Sequence, residues 1–568
     1  MSTKSEYYMA SMASRTSASN RCRQRRSWAR AVAVALGLAV AALWVWWSLT
    51  LRLDRRFNDQ STSMLSSWWQ SWWQSPWKAL SRPRPKGQFL HITDIHVDAN
   101  YQAGATIDSY CHRPPKKSQR SKEISLAGHF GSPGTDCDSP VRLVDITFRW
   151  LSRYITKDID FIVFTGDSSR HERDDRLPRK VDELILLNRY IASQFMSLVD
   201  PAITPVIHVI GNNDVEPHNI LEPGPNPMLL GLYEAWKDFI PQDQHQLFLT
   251  MGYYRYILPS DSRLSVLALN TQWFYKSNDA VGACRKSHHP GAQQLVWMAH
   301  HLDKARARGH HVYIAGHVAP EQNDYFSSCY KRYAQLVTEY ADVIQGQFFG
   351  HNNKDHFYFL AEDSDSRRTR QYPTATADND RVDSQRSLAF DSHATSSSSE
   401  LSVARSRQSL MKELVRHYKE VWRARNTTQF SVINVAPSII PTYNPAFRVY
   451  HYQQAEGLSS PLFPRLARST TVNGQPTLVV PSTAKQRSLG TLLDYDQYWL
   501  NLTAANEDFG EIHDIFYQPP FEQMYSAREQ YQMPDLTLSS WMDLANRIVH
   551  NKTVRHQFAQ FLFVLADG

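Results

Sequence analysis

Five short polar clusters each follow an apolar, β-rich run: Thr93-Asp94-Ile95-His96, Thr165-Gly166-Asp167, Gly211-Asn212-Asn213-Asp214, Ala315-Gly316-His317 and Gly350-His351. One Gly-Asp or Gly-His pair carries no information. Five clusters in this order place carboxylate, amide and imidazole donors at successive strand ends. That mixture suits borderline divalent cations such as Mn, Fe, Zn or Co, not an all-oxygen calcium site. Taken singly, Asp94 reads as a turn residue and His317 as a satisfied core histidine. The set reads as a metal centre.

The elements that must hold these donors alternate. Strand-like runs cover 89–92, 161–164, 206–210, 264–269, 312–314 and 343–349, and helix-period segments cover 141–155, 181–199, 292–307 and 332–342. The alternation predicts an α/β domain, whose ligands gather at the carboxyl ends of strands. The expected catalytic domain covers 87–361. Residues 362–409, rich in Ser, Arg, Asp and Thr, read as a disordered insertion. Residues 410–455 read as strands that complete the domain, and 456–568 as a C-terminal extension.

The order of clusters resembles the calcineurin-like metallophosphoesterases, whose pattern is D-x-H, GD, GN-H-D/E, H and GHxH, over roughly residues 87–360. The resemblance implies mixed β-sheets packed face to face and covered by helices. It also implies two divalent metal ions (Mn, Zn, Fe, Co or Mg), which bridge a phosphate, acidify a water and neutralise charge in an in-line displacement. Carried over residue by residue, Asp94 and His96 bind the first metal, Asp167 bridges, and Asn212, His317 and His351 bind the second. The chain departs from the pattern twice. Asn213 stands where the family has a histidine that holds or protonates the phosphate. Asn353 stands where GHxH has its second histidine. Asn353 is a candidate ligand of the first metal through its carbonyl oxygen, with Asp355 and His356 as out-of-register alternatives. His171 has the offset of a leaving-group histidine in the acid sphingomyelinase-like branch. An imidazole of ordinary pKa, ~6.5, can donate a proton in a mildly acidic lumen.

The departures form a pattern of their own. The strings at 166–171, 211–214 and 350–357, with those at 435–441 and 444–450, resemble the fungal vacuolar endopolyphosphatases. This implies hydrolysis of internal phosphoanhydride bonds in long-chain inorganic polyphosphate, at a vacuolar membrane. An endo-acting enzyme must grip a polyanion on both sides of the cut. Arg170, Arg173 and Arg176, followed by Arg179 and Lys180, are the expected contacts. Arg113, Lys116, Lys117, Arg120 and Lys122 form a second basic cluster. Interleaved Glu172, Asp174 and Asp175 equally suit a solvated loop. The rivals are a lumenal phosphodiesterase acting on sphingolipid or nucleotide esters, and an inactive membrane-anchored binding protein. Asn213 and the want of a cysteine-rich saposin-like module weigh against the first; six persisting ligands weigh against the second.

Composition sets the frame. With 568 residues, 42% hydrophobic and 21% charged, the chain is neither wholly disordered nor a polytopic membrane protein. The net charge of +7 permits a polyanionic partner, but a solvated surface explains it as well; no specific nucleic-acid partner is expected. Residues 31–51 are uncharged and match the roughly 20 residues that span a bilayer. The arginines before them favour a cytosolic tail at 1–30 and a lumenal bulk, hence a single-pass type II protein; a cleaved signal peptide is the alternative. A tryptophan-rich stem, 52–86, follows; it suits either the membrane interface or packing on the domain. Asn426, Asn501 and Asn551 are glycosylation acceptors. Cys111, Cys137, Cys284 and Cys329 lie after the span. Of their three pairings, Cys111–Cys137 and Cys284–Cys329 are favoured because each closes a local loop.

Overall fold

The computed structural model describes residues 87–116, 125–361, 399–454, 488–512 and 517–565, with two-residue strands at Thr471–Val472 and Gln475–Pro476. The expected tail, span and stem, Lys117, Arg120, Lys122 and residues 362–398 of the expected insertion lie outside them. Among the described residues, no helix is long and apolar enough to cross a membrane.

Twelve strands build two six-stranded sheets. In chain order they are β1 (Gln88–Ile92), β2 (Phe161–Phe164), β3 (Val206–His208), β4 (Tyr254–Ile257), β5 (Leu264–Ala268) and β6 (His311–Ala315). They continue with β7 (Ile344–Phe349), β8 (His356–Ala361), β9 (Phe430–Val435), β10 (Ala446–Tyr452), β11 (Leu492–Trp499) and β12 (Glu522–Ser526). The first sheet runs β12-β11-β10-β1-β2-β3 and the second β8-β9-β7-β6-β5-β4. β1, β2 and β3 are parallel, as are β5, β6, β7 and β9. Parallel register brings their exits to one edge. Ile92 pairs with Phe164 and Phe164 with His208, so the loops carrying Asp94, Asp167 and Asn212 start side by side. Ala315 pairs with Phe348, which does the same for His317 and His351.

Both sheet faces are buried, and the period of two in a strand sorts its side chains between two cores. On β6, Tyr313 and Ala315 join the core between the sheets, whereas Val312 and Ile314 join a second core. Between the sheets, Phe89 stacks on Phe161 at 4.5 Å and Tyr450 at 5.0 Å, and meets Phe348 of the other sheet at 5.3 Å. Helices α1 (Val141–Tyr154) and α2 (Val181–Leu198) cover the first sheet through Phe148, Phe164 and Phe195. Short helices α3 (Pro227–Trp236) and α4 (His245–Met251) follow β3. Helices α5 (Pro290–Arg308) and α6 (Ser327–Glu339) supply Leu295, Met298, Leu302, Tyr333 and Val337 to the second core. Both favoured disulfides are present. Cys111–Cys137 ties the loop after β1 to the segment leading into α1, and Cys284–Cys329 ties the loop before α5 to α6.

Two expectations are corrected. The disordered insertion does not reach 409. Helix α7 (Ser399–Ala424) starts inside it, and Met411, Leu414, Tyr418 and Val421 form a buried stripe at helical spacing. Tyr418 stacks on Phe357 at 5.0 Å. Nor does the first sheet end at 455. β11 and β12 extend it, and helices α8 (Leu502–Ile512), α9 (Ala527–Tyr531), α10 (Leu538–His550) and α11 (Lys552–Phe561) pack into the same core.

Candidate dimetal active site

Asp94, His96, Asp167, Asn212, His317 and His351 converge. One ligand atom each from Asp94, His96 and Asp167 lies within 4.8 Å of the others; the same holds for Asp167, His317 and His351. Asp167 belongs to both groups. Among the described residues, five of the eleven non-glycine ones with positive φ lie here: Asp94 (50°), His96 (44°), Asp167 (59°), His351 (69°) and Asn353 (56°). Such conformations cost about 1–3 kcal/mol each and need surroundings that over-determine them. Close backbone approach explains the glycines. A Cβ at Gly211 would run into the Asp167 carboxylate, and one at Gly350 into Thr93 and Asp94.

Hydrogen bonds lock each donor. Asp214 accepts from Asp167 N at 2.9 Å, Ser168 N at 2.8 Å and Gly211 N at 3.0 Å, tying two site loops together. Asp94 Oδ2 accepts from Thr93 Oγ1 at 2.6 Å and His351 N at 3.0 Å. The segment after β9 adds Ile440 N to Asp94 O at 2.9 Å and Ala436 N to Phe349 O at 3.0 Å. The segment 436–440 therefore staples the Asp94 loop to the His351 loop.

The lone pairs left over point at one another. His317 Nδ1 lies 2.7 Å from Thr165 O and His96 Nδ1 lies 3.0 Å from Ser169 O, so each Nδ1 carries the hydrogen. Each Nε2 then offers a lone pair. His317 Nε2 faces Asn212 Oδ1 at 2.8 Å and Asp167 Oδ2 at 3.2 Å. His96 Nε2 faces Asp94 Oδ1 at 3.5 Å and Asp167 Oδ2 at 3.3 Å. His351 Nδ1 lies 2.8 Å from Asn212 Oδ1. Asp94 Oδ1 and Asn353 Oδ1 are buried without a hydrogen-bond partner. Converging lone pairs repel unless a cation or proton lies among them. The donor set therefore fits two divalent ions: Asp94, His96 and Asp167 for one, Asp167, Asn212, His317 and His351 for the other. Burial opposes a charge on His317, yet Asp167 overrides it and raises the pKa to about 9. Burial likewise opposes His96 protonation, and Asp167 and Asp94 again raise it. Burial and His317 push His351 down to about 4.

The remaining expected residues divide. His171 is at the site, its ring stacked on His96 at 4.1 Å. Its Nδ1 and backbone N both meet the Asp138 carboxylate, at 2.7 and 2.8 Å. Burial, then Arg173 and His96, push its pKa well down. Asp138 was not anticipated; it follows Cys137, so the Cys111–Cys137 bridge anchors it. Asn213 is also at the site, but its N and Nδ2 both donate to Asp167, at 2.8 Å each. Asp355 and His356 are turned away. Asp355 pairs with Arg448 and Tyr525, and His356 Nδ1 lies 3.1 Å from Lys354 O.

The basic run after Asp167 is mostly scaffold. Arg170, expected on the substrate, is 1% exposed and forked onto Glu183, with Nε 2.6 Å from Oε1. It cannot reach a polyanion. Buried Arg179 holds the carbonyls of Arg170 and Asn213. Arg113 pairs with Asp174. Arg173, one-third exposed, reaches Asp136 O at 2.9 Å, and Arg176 is exposed. His218 was also missed: its Nε2 lies 3.1 Å from Asn212 Nδ2, and burial and Arg179 hold its pKa at about 4.

Comparison with known proteins gives this geometry a family. Residues 87–354 match the calcineurin-like phosphoesterase family. An "Endopolyphosphatase" of Cryptococcus neoformans is 36% identical over 66% of this chain and 59% of its own length. One from Candida glabrata is 33% identical over 64% and 61%. The chain thus spans about three-fifths of the length of these two relatives. One from Schizosaccharomyces pombe is 30% identical over 81% of this chain and 83% of its own. The chain belongs to the endopolyphosphatase family of calcineurin-like phosphoesterases. Membership implies the α/β fold described above and two divalent ions, for which the endopolyphosphatase-family site here supplies the donors.

Exchanging Asp138 tests the reading of His171. Asp138→Ala leaves the ring without its Nδ1 partner. With its pKa pushed well down, His171 is a neutral ring and not the proton donor expected of an ordinary imidazole, and the kcat is expected to fall by the ~10–100-fold that losing an orienting partner costs. Asp138 also lies within 4.8 Å of a His96 ring nitrogen, so metal content is counted by mass spectrometry alongside: a lower kcat at unchanged content assigns the loss to His171. An unchanged kcat would leave His171 without a role in turnover.

Proposed function

We propose that the chain is an endopolyphosphatase that hydrolyses internal phosphoanhydride bonds of long-chain inorganic polyphosphate. The convergence of ring nitrogens and carboxylate oxygens on Asp167 carries the reading, and the activity printed for the S. pombe relative supports the substrate. When bound, two divalent ions polarise phosphoryl oxygens and supply an acidified water. The residues of the chain do the rest. Asp94, His96, Asp167, Asn212, His317 and His351 hold the ions, Asn353 completes the first set, and Asn213 orients Asp167. His171, held by Asp138, serves the departing phosphate oxygen. Arg173 and Arg176 contact the polyanion beyond the cut, a sequence-blind grip suited to a uniform chain.

The same reading places the protein in a vacuolar membrane through residues 31–51, with the catalytic domain lumenal. Two observations support a secretory route. Asn426, Asn501 and Asn551 are all exposed, and both disulfides suit an oxidising compartment.

The test is direct. The metal-loaded protein is given long-chain polyphosphate, and product length is followed on a gel. Mid-sized fragments should appear before orthophosphate does. Orthophosphate alone, with long chains persisting, would mean exo-cleavage. Cleavage of a sphingolipid or nucleotide diester without polyphosphate loss would overturn the substrate.

A further inference from the structure

An asparagine ligates a cation through its oxygen, yet the amide turned by 180° has nearly the same shape. Packing alone does not choose between the orientations; the partners of the amide nitrogen do. Asn212 Nδ2 lies 3.1 Å from His218 Nε2 and donates to Asn219 Oδ1 at 2.9 Å. With the His218 hydrogen on Nδ1, two acceptors flank the nitrogen, and Oδ1 is left facing His317 Nε2 and His351 Nδ1 at 2.8 Å each.

The acceptors are themselves fixed. Asn219 N donates to Asn212 O at 3.2 Å, closing the loop 212–219 on itself. Asn219 takes φ of 69°, a conformation that asparagine tolerates better than most residues. Fully buried Gln272, its amide oriented to satisfy both ends, donates to Asn219 O at 3.1 Å and accepts from Asn212 N at 3.2 Å. Asn278, also fully buried, donates to Gln272 O at 3.1 Å and to Leu221 O at 3.0 Å. Behind Asn212 stands a lattice of neutral amides reaching from the loop after β3 to the loop after β5.

We propose that His218 and Asn219 are positioning residues for one of the two cations: together they hold the Asn212 amide with its oxygen toward His317 and His351. This rests on the dimetal reading of the centre. It assigns work to the stretch Val215-Glu216-Pro217-His218-Asn219, which the metal-binding pattern leaves unexplained. It also predicts an asymmetry. The hydrogen bonds of His218 Nε2 and Asn219 Oδ1 go to Asn212, whereas His218 reaches His96 only through space, so the Asn212 site should respond first.

The experiment uses the full chain, stripped of metal and titrated with Mn²⁺ by calorimetry, with metal per chain counted by mass spectrometry. The wild type should take two equivalents. In His218→Ala and Asn219→Ala, one equivalent should weaken by about 10–100-fold, the usual effect of losing an outer partner of a ligand. The other should bind as before, and the metal-free protein should keep its Tm. His218→Gln, which retains an acceptor, should restore much of the affinity. Two equivalents bound as in the wild type by His218→Ala, with only turnover reduced, would make His218 a substrate contact and overturn the proposal. Loss of both equivalents with a lower Tm would make it a general structural residue, again overturning it. A wild type that never takes two equivalents would instead sink the dimetal reading itself.

Discussion

Asp167→Asn is expected to stop the proposed polyphosphate cleavage, by at least the ~10²–10³-fold that one contact to developing charge is worth. Asp167 is the one residue shared by the two donor groups, with Oδ2 3.3 Å from His96 Nε2 and 3.2 Å from His317 Nε2. Losing its charge weakens both sites at once, which no other ligand does. Asparagine is chosen over alanine for a physical reason. Asp167 accepts from Asn213 N and Nδ2. Alanine would leave two buried donors unpaired, at about 1–3 kcal/mol each, and confound activity with folding. Asparagine keeps the shape and one acceptor. Metal content should fall below two ions per chain while the fold persists by circular dichroism. Fragment production near the wild-type rate would refute this assignment of the centre.

Asp355→Ala is expected to cause the largest loss of stability. The Arg448–Asp355 pair is almost fully buried, at 2% and 5% exposure. Arg448 also donates to Gln497 Oε1 at 2.8 Å and lies over the Tyr495 ring at 4.6 Å, while Tyr525 donates to Asp355. Removing the carboxylate strands a guanidinium that cannot lose its proton, a cost of roughly 3–5 kcal/mol. Adding Arg448→Met should recover much of it, because a buried pair breaks even against apolar packing more often than it stabilises. The pair also has a functional address. Asp355 sits four residues after His351, and its N–H donates to Leu562 O at 3.0 Å. The C-terminal helices thereby brace the loop carrying His351 and Asn353, so the single variant should lose metal affinity along with Tm. Thermal unfolding with and without Mn²⁺ checks both. A double variant less stable than the single one would refute the account.

Much of the site was legible because its donors obey a local rule. Each ligand directly follows an apolar strand, and parallel strands must all exit at one edge; Asp94, Asp167, Asn212, His317 and His351 are therefore readable from spacing and order. The alternation of runs and helices likewise determined the α/β class, and the cysteine spacing favoured the two bridges that formed. Helix α7 and strands β11 and β12 were hidden. Their burial comes from partners such as Phe357 and β10, far away in the chain.

What the tertiary structure decided was the partner of each polar group. Five arginines and lysines after Asp167 look alike in sequence, yet Arg170 is walled in by Glu183 while Arg176 is exposed. Asp138 and His171 are 33 positions apart and meet at 2.7 Å. Asp355, two residues from the candidate metal donor Asn353, turns to Arg448, 93 positions away. Order along the chain determines which edge of a sheet a side chain reaches. Only the folded packing determines whether a charge there meets water, a cation or its opposite, because burial and pairing depend on neighbours that local spacing does not record.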